Sequence, residues 1–189
     1  MQKVFFNRAL KILLVTDSLI LFSNAMMGPI YALFVQKIGG DLLDASITWA
    51  IFTGVTGLVT LISGRYVDKI KENELIIVAG YALNAFGYFL YLFVNTIPFL
   101  FFVQIIMGLS MAIYAPAFDA VYSKHLDSHR SGRQWAAWES MNYFALALGA
   151  IIGGLLVNYF GGFHVIFILM MILCLSSATF IFLLPRKVL

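Results

Sequence analysis

Charge is what this sequence has least of: Asp, Glu, Lys and Arg make up 11% of its 189 residues, whereas an ordinary soluble domain carries roughly 25%. With 62% of the residues hydrophobic, a water-facing surface cannot be assembled from what remains. Cysteine occurs once, as Cys174 inside an apolar run, which excludes an internal disulfide framework and a cysteine metal site. The 4 prolines and 15 glycines form no repeat, so collagen-like and low-complexity architectures are excluded too. The net charge of +3 comes from basic residues scattered through short connectors, and a nucleic-acid patch is therefore not expected.

Histidine is equally sparse, and its placement removes several chemistries. His125 and His129 are four apart, as a helical metal pair would be, but they lie in a charged connector without a third ligand. Ser110 follows Gly108 and Leu109, yet no histidine base lies in any apolar run, since His164 falls in a connector. No glycine-rich loop with Lys and Ser or Thr cradles a phosphate. No metal, no cofactor and no enzymatic activity are expected.

What is present is a succession of apolar runs. A helix crossing about 30 Å of hydrocarbon needs about 20 apolar residues, and six runs reach that length: 12–35, 45–64, 75–94, 97–118, 140–160 and 165–184. They lack the alternating polarity of barrel strands. The predicted fold is an all-α membrane domain of six transmembrane helices over 1–189, leaving no room for a soluble domain. The first run is too long for a signal peptide and has no small-residue cleavage site. Eleven of the 12 basic residues fall in alternate connectors (Lys3, Arg8, Lys11, Arg65, Lys69, Lys71, Lys124, Arg130, Arg133, Arg186, Lys187), and Lys37 stands opposite. The positive-inside rule then places both termini in the cytoplasm, in a plasma or inner membrane. Trp49, Trp135 and Trp138 fall where interfacial aromatics are expected. The longest connector is 119–139.

Polar residues within the runs are few enough to name. Asp17 lies inside the first, where burial of an acid is costly unless it faces a bundle interior or a cavity. Asn24 and Tyr31 share its helical stripe, which is the best candidate for a substrate or proton pathway. The alternative is that Asp17 snorkels and Asn24 ties a neighbouring helix. Gln104 on the fourth run either lines a pathway or fastens helices. Glu139 and Asn142, three apart at the start of the fifth, are a further candidate pair, although Glu139 could equally pair with the loop. Gly80, Asn84 and Gly87 read as a packing face, and the sixth run reads as lipid-facing. Pro29 and Pro116 sit late in the first and fourth runs, as in a three-plus-three inverted repeat or as two unrelated kinks.

The connector after the second run is specific. Gly64-Arg65-Tyr66-Val67-Asp68-Lys69 resembles the start of the signature loop of the major facilitator superfamily, although Lys71, Glu72 and Asn73 depart from its second half. Gly149-Ala150-Ile151-Ile152-Gly153-Gly154 is similar to that family's antiporter element with Ala150 for proline, and Gln104 stands where many proton-coupled members carry arginine. The resemblance implies an amino-terminal six-helix half. It implies a gating network of Gly64, Arg65, Asp68, Lys69 and Asp119. It also implies packing of Gly149, Gly153 and Gly154 against the opposite half, and helices three and six at the periphery. The expected function is alternating-access transport of an unidentified small solute, with proton coupling at Asp17, by a homodimer of halves. A distinct six-helix partner and a non-transporting scaffold are the alternatives.

Overall fold

The computed structural model describes residues 6–185; of the basic residues that orient the chain, Lys3, Arg186 and Lys187 lie outside them. Among the described residues every regular element is helical. They are α1 (Arg8–Met27), a 3-10 turn (Gly28–Ile30), α2 (Tyr31–Lys37), α3 (Leu42–Val67), α4 (Asn73–Tyr91), α5 (Ile97–Lys124), α6 (Ser131–Phe160) and α7 (His164–Phe182). With α1, the turn and α2 taken as one continuous span, six helices are long and apolar enough to cross a bilayer.

The helix ends follow from local chemistry. Asn7 caps α1, its side chain accepting from the Leu10 N–H at 2.8 Å. Asp41 and Asp44 cap α3 reciprocally, each carboxylate accepting from the other's backbone N–H at 2.9 and 3.0 Å. Gly161 ends α6 at φ 67°, a left-handed conformation that costs glycine no Cβ strain. Pro29 removes a backbone donor and tightens the first span into its 3-10 turn. Pro116 lies within α5, which runs through it. The two prolines therefore do not interrupt their helices alike.

The 119–139 connector is much shorter than its charge content suggests, because α5 and α6 extend into it and leave only 125–130 between them. Hydropathy reports the length that suits hydrocarbon, whereas the extra turns are held by aromatic packing. Tyr122 packs on Trp135 at 4.7 Å and Phe118 on Trp138 at 6.0 Å between ring centroids. The Tyr122 hydroxyl also donates to the Gln134 carbonyl at 2.7 Å. Across the other connector, Asn73 is buried, and with its amide nitrogen facing inward it donates to the carbonyls of Val67 and Ile70 at 3.0 Å each. A residue that departs from the family loop thus closes that loop here.

The packing has the symmetry of a duplication. The first span packs on α6 and α7, and α5 packs on α3 and α4, while α4 and α7 pack on each other. Exchanging spans one to three with spans four to six maps this pattern onto itself. Close approaches sit at equivalent seams. A Cβ at Gly108 of α5 would lie 2.8 Å from the Phe52 carbonyl of α3, and one at Gly149 of α6 would lie 2.6 Å from the Phe22 carbonyl of α1.

Two expectations are corrected at these seams. Gly149 and Gly153 press α6 against α1 of the same bundle, Gly153 against the Met26 backbone, so they are not free to meet an opposite half; Gly154 has open space around it. The last span is not simply lipid-facing. Ile172, Leu175, Phe180 and Leu183 are exposed, but Cys174 and Ser177 are buried. Ser177 donates to the Thr16 carbonyl of α1, and Ser23 of α1 returns a bond to the Met170 carbonyl, both at 3.1 Å. The least covered spans are α3 and α6.

Candidate functional site

Three polar residues of the first span, Asp17, Asn24 and Tyr31, recur on one stripe at offsets of seven, and each joins a separate cluster. Asp17 is 2% exposed. Its Oδ1 accepts from the Tyr81 hydroxyl of α4 at 3.1 Å and its Oδ2 from the Trp138 indole N–H of α6 at 2.8 Å. A carboxylate in an apolar interior is tolerated only with such partners. Tyr114 of α5 stacks edge-on against Tyr81 at 5.1 Å, and its own hydroxyl is buried without a partner.

About two helical turns farther along α1, Asn24 accepts through Oδ1 from two α4 side chains, the Asn84 amide at 3.3 Å and the Tyr88 hydroxyl. Beyond the 3-10 turn, Tyr31 accepts from the Gln104 amide of α5, which also donates to Tyr91 of α4 at 3.1 Å. Gln104 therefore fastens helices and lines a pocket at once. Asn24, Tyr31, Asn84, Tyr88, Tyr91 and Gln104 form the polar wall of a cavity of about 250 Å³. Its apolar wall comes from Leu21, Met27, Trp49, Phe52, Met107, Met111 and Leu146. Trp49, expected as an interfacial anchor, is half exposed at 57% and faces this cavity. Asp17 is not among the lining residues.

The α4 contributions are Tyr81, Asn84, Tyr88 and Tyr91, spaced three, four and three apart. They form one helical face that meets all three clusters. The opposite face carries exposed Phe86 and Phe89. The third span is therefore not peripheral to the pocket. Its signal in the sequence was a tyrosine and asparagine stripe at helical spacing in an apolar run, on the side of the helix that also bears the packing glycines.

The other named residues are dispersed. Glu139 is exposed on α6, while Asn142 is half buried, with its Oδ1 enclosed and unpaired. Arg65, Asp68 and Lys69 are exposed at the end of α3, Gly64 has open space around it, and Asp119 is exposed on α5. Among the described residues, no ion pair joins Asp68 or Asp119 to Arg65 or Lys69. No group of three or more His, Cys, Asp or Glu among the described residues is arranged to hold a metal ion.

The sequence pattern of the Major Facilitator Superfamily matches residues 13–188. The proton-coupled antiporter flippase LtaA of Staphylococcus saprophyticus is 25% identical over 137 residues, which are 69% of this chain and 34% of that protein. The multidrug resistance protein MdtG of Yersinia enterocolitica is 24% identical over 171 residues, covering 89% of this chain and 41% of MdtG. Among solved structures, the POT family transporter PepTSo superimposes with a TM-score of 0.74 at 16% identity, over 94% of this chain and 37% of its own. The chain thus spans between about a third and two-fifths of the length of these relatives.

Proposed function

The chain belongs to the Major Facilitator Superfamily, and from that premise we propose that it moves a small solute across a membrane as one six-helix half of an alternating-access pathway, acting as a transporter and not as an enzyme. The observation that carries this reading is the cavity of about 250 Å³, built from the first five spans and flanked by α3 and α6, the two least covered helices. Transporters of this kind hold substrate near the bilayer midplane between two bundles that rock against each other. A second bundle seated on α3 and α6 would close this cavity. In our reading that bundle is a second copy of the chain.

The basic connectors favour a cytoplasmic position for both termini, and our reading puts the chain in a plasma or inner membrane. Gly64, Arg65, Asp68, Lys69 and Asp119 then lie at the cytoplasmic end, where charges exposed in the isolated half gate it against the other. Asp17 is the proton-carrying group in this reading: among the described residues it is the one acid enclosed within the bundle, and its two donors come from two different helices. Loss or gain of its charge alters both bonds, and with them the seams between α1, α4 and α6. Glu139 and Asn142 belong to the approach along α6.

The test is flux in proteoliposomes under an imposed pH gradient, across a panel of small solutes. Uptake above protein-free vesicles that falls at least ~10-fold in Gln104→Leu is expected, because that change removes the amide that donates to both Tyr31 and Tyr91. Protein that moves no solute, yet keeps a stable partner through purification, would overturn transport in favour of a scaffold.

A further inference from the structure

Resting on the transport reading, we propose that the solute is an uncharged, largely apolar molecule bearing a carboxamide or an equivalent donor–acceptor group. Its acceptor takes the free N–H of Asn24, and its donor meets Oε1 of Gln104. Both residues line the cavity of about 250 Å³, and each amide is half used. Asn24 accepts through Oδ1 from Asn84 and Tyr88, whereas Gln104 donates through Nε2 to Tyr31 and Tyr91. Among the described residues the other ends of these amides, Asn24 Nδ2 and Gln104 Oε1, have no partner. Neither is sealed in, as Asn84 Oδ1, the Tyr114 hydroxyl and Asn142 Oδ1 are. Their free surface therefore lies on the cavity.

The partners fix what each amide offers. A hydroxyl rotates to suit its neighbour, but a planar amide with one end held by two bonds keeps the direction of the other, and binding to it costs little ordering. Gln104 is 4% exposed, which leaves its side chain little room to turn away. The anchors Tyr88 and Tyr91 are neighbours on α4, their ring centroids 6.1 Å apart, so the free N–H and the free C=O occupy neighbouring positions along the wall. A solute that displaces water from both must restore both bonds or lose affinity. None of the lining residues is Asp, Glu, Lys, Arg or His, and Asp17 is enclosed by Tyr81 and Trp138 away from the wall. A charged solute would therefore enter without a counter-charge, which proteins avoid. The apolar body is received by Trp49 and Phe52, which offer aromatic faces, and by Met107 and Met111, which adapt to irregular shapes.

Planar isosteres on one ring system test this as tritiated probes: 2-naphthamide, with acceptor and donor; methyl 2-naphthyl ketone, with the acceptor alone; 2-naphthoate; and 2-naphthamidinium. Binding to the full chain in nanodiscs is read by scintillation proximity, with empty nanodiscs subtracted. 2-Naphthamide should bind ~10-fold or more tightly than each of the others, the effect of one buried hydrogen bond or one unpaired charge. In Gln104→Leu the ratio of amide to ketone should fall to about one, because the ketone makes no use of Oε1. Asn24→Asp keeps an oxygen for Asn84 and Tyr88 and exchanges the free N–H for a second oxygen. In that variant 2-naphthamidinium should gain ~10-fold, a change that loss of structure alone cannot produce. Wild-type preference for the ketone or either charged probe, an amide-to-ketone ratio unchanged in Gln104→Leu, no gain of the amidinium in Asn24→Asp, or no binding of any probe overturns the proposal. Because binding is read without flux, preserved probe ratios in a protein that transports nothing would sink the transport reading and leave this site standing. Flux of other solutes without these ratios would do the reverse.

Discussion

Asp17 shows how much of a site a single residue can announce. An acid inside an apolar run costs roughly 2.5–3.5 kcal/mol on insertion scales, so its position alone implies enclosure and donors. Its partners could not be read the same way, because Tyr81 and Trp138 are 64 and 121 residues away and nothing local specifies them. Asn24 and Tyr31 were legible as its stripe-mates. That Asp17 stands apart from the cavity that Asn24 and Tyr31 line was not, because helical spacing gives a common face but not what covers it. The two bonds make a prediction. Asp17→Asn keeps the size but offers one acceptor oxygen, so one donor is left facing an amide nitrogen. Thermal unfolding in detergent should show a loss on the order of 1–3 kcal/mol, and transport should lose its pH dependence. Trp138→Phe removes one bond, should cost about 1–2 kcal/mol, and should leave a pH dependence in place. An unchanged pH profile in Asp17→Asn would remove this residue from the mechanism.

Six spans were recoverable as elements because apolar length is a direct physical demand of the bilayer. Their ends and neighbours were less so. Residues 119–124 and 131–139 read as a connector by charge, yet remain helical through the rings of Phe118, Tyr122, Trp135 and Trp138. The α4 stripe is a plainer case: Tyr81, Asn84, Tyr88 and Tyr91 carry the periodicity of a functional face, but family resemblance assigns the third span to the periphery. Glycine seams show the same limit, since Gly149, Gly153 and Gly154 look alike in sequence. In the structure Gly153 lies against the Met26 backbone and Gly154 against nothing. Backbone cannot move aside as a flexible side chain can, so Gly153→Ala should force α6 away from α1 and destabilise the bundle by roughly 1–3 kcal/mol. Gly154→Ala should stay within about 0.5 kcal/mol of the wild type. Denaturation midpoints of the two variants in one detergent decide it, and equal midpoints would mean that the α1–α6 seam is loose.

Taken whole, the bundle is internally complete and functionally open. Its six spans satisfy one another through a repeated packing pattern, and its polar groups are bonded mainly across internal seams, yet the cavity is flanked by the two helices with least cover. A two-fold axis along the membrane normal, passing through the cavity mouth, would bring α3 of one copy beside α6 of the other, and the reverse, in an isologous contact. Such a contact closes the cavity without any new element. It would also place the two Asp17 residues in symmetric bundles, so that each half would carry its own copy of the acid proposed to bind the proton. A different six-helix bundle could fill the same place, and mass distinguishes the two. The full chain, crosslinked in its native membrane and then purified, should give a covalent species near twice 21.1 kDa. The crosslinked peptides should come from α3 and α6 of two copies. Introducing Leu148→Trp, at an exposed position of α6, should reduce that species several-fold while leaving the unfolding midpoint of the single bundle within about 0.5 kcal/mol. A crosslinked species whose second component is another membrane protein would replace the homodimer with a split transporter. A species that stays at 21.1 kDa while flux persists would rule out both pairings, because the pathway would then have to run through one bundle alone.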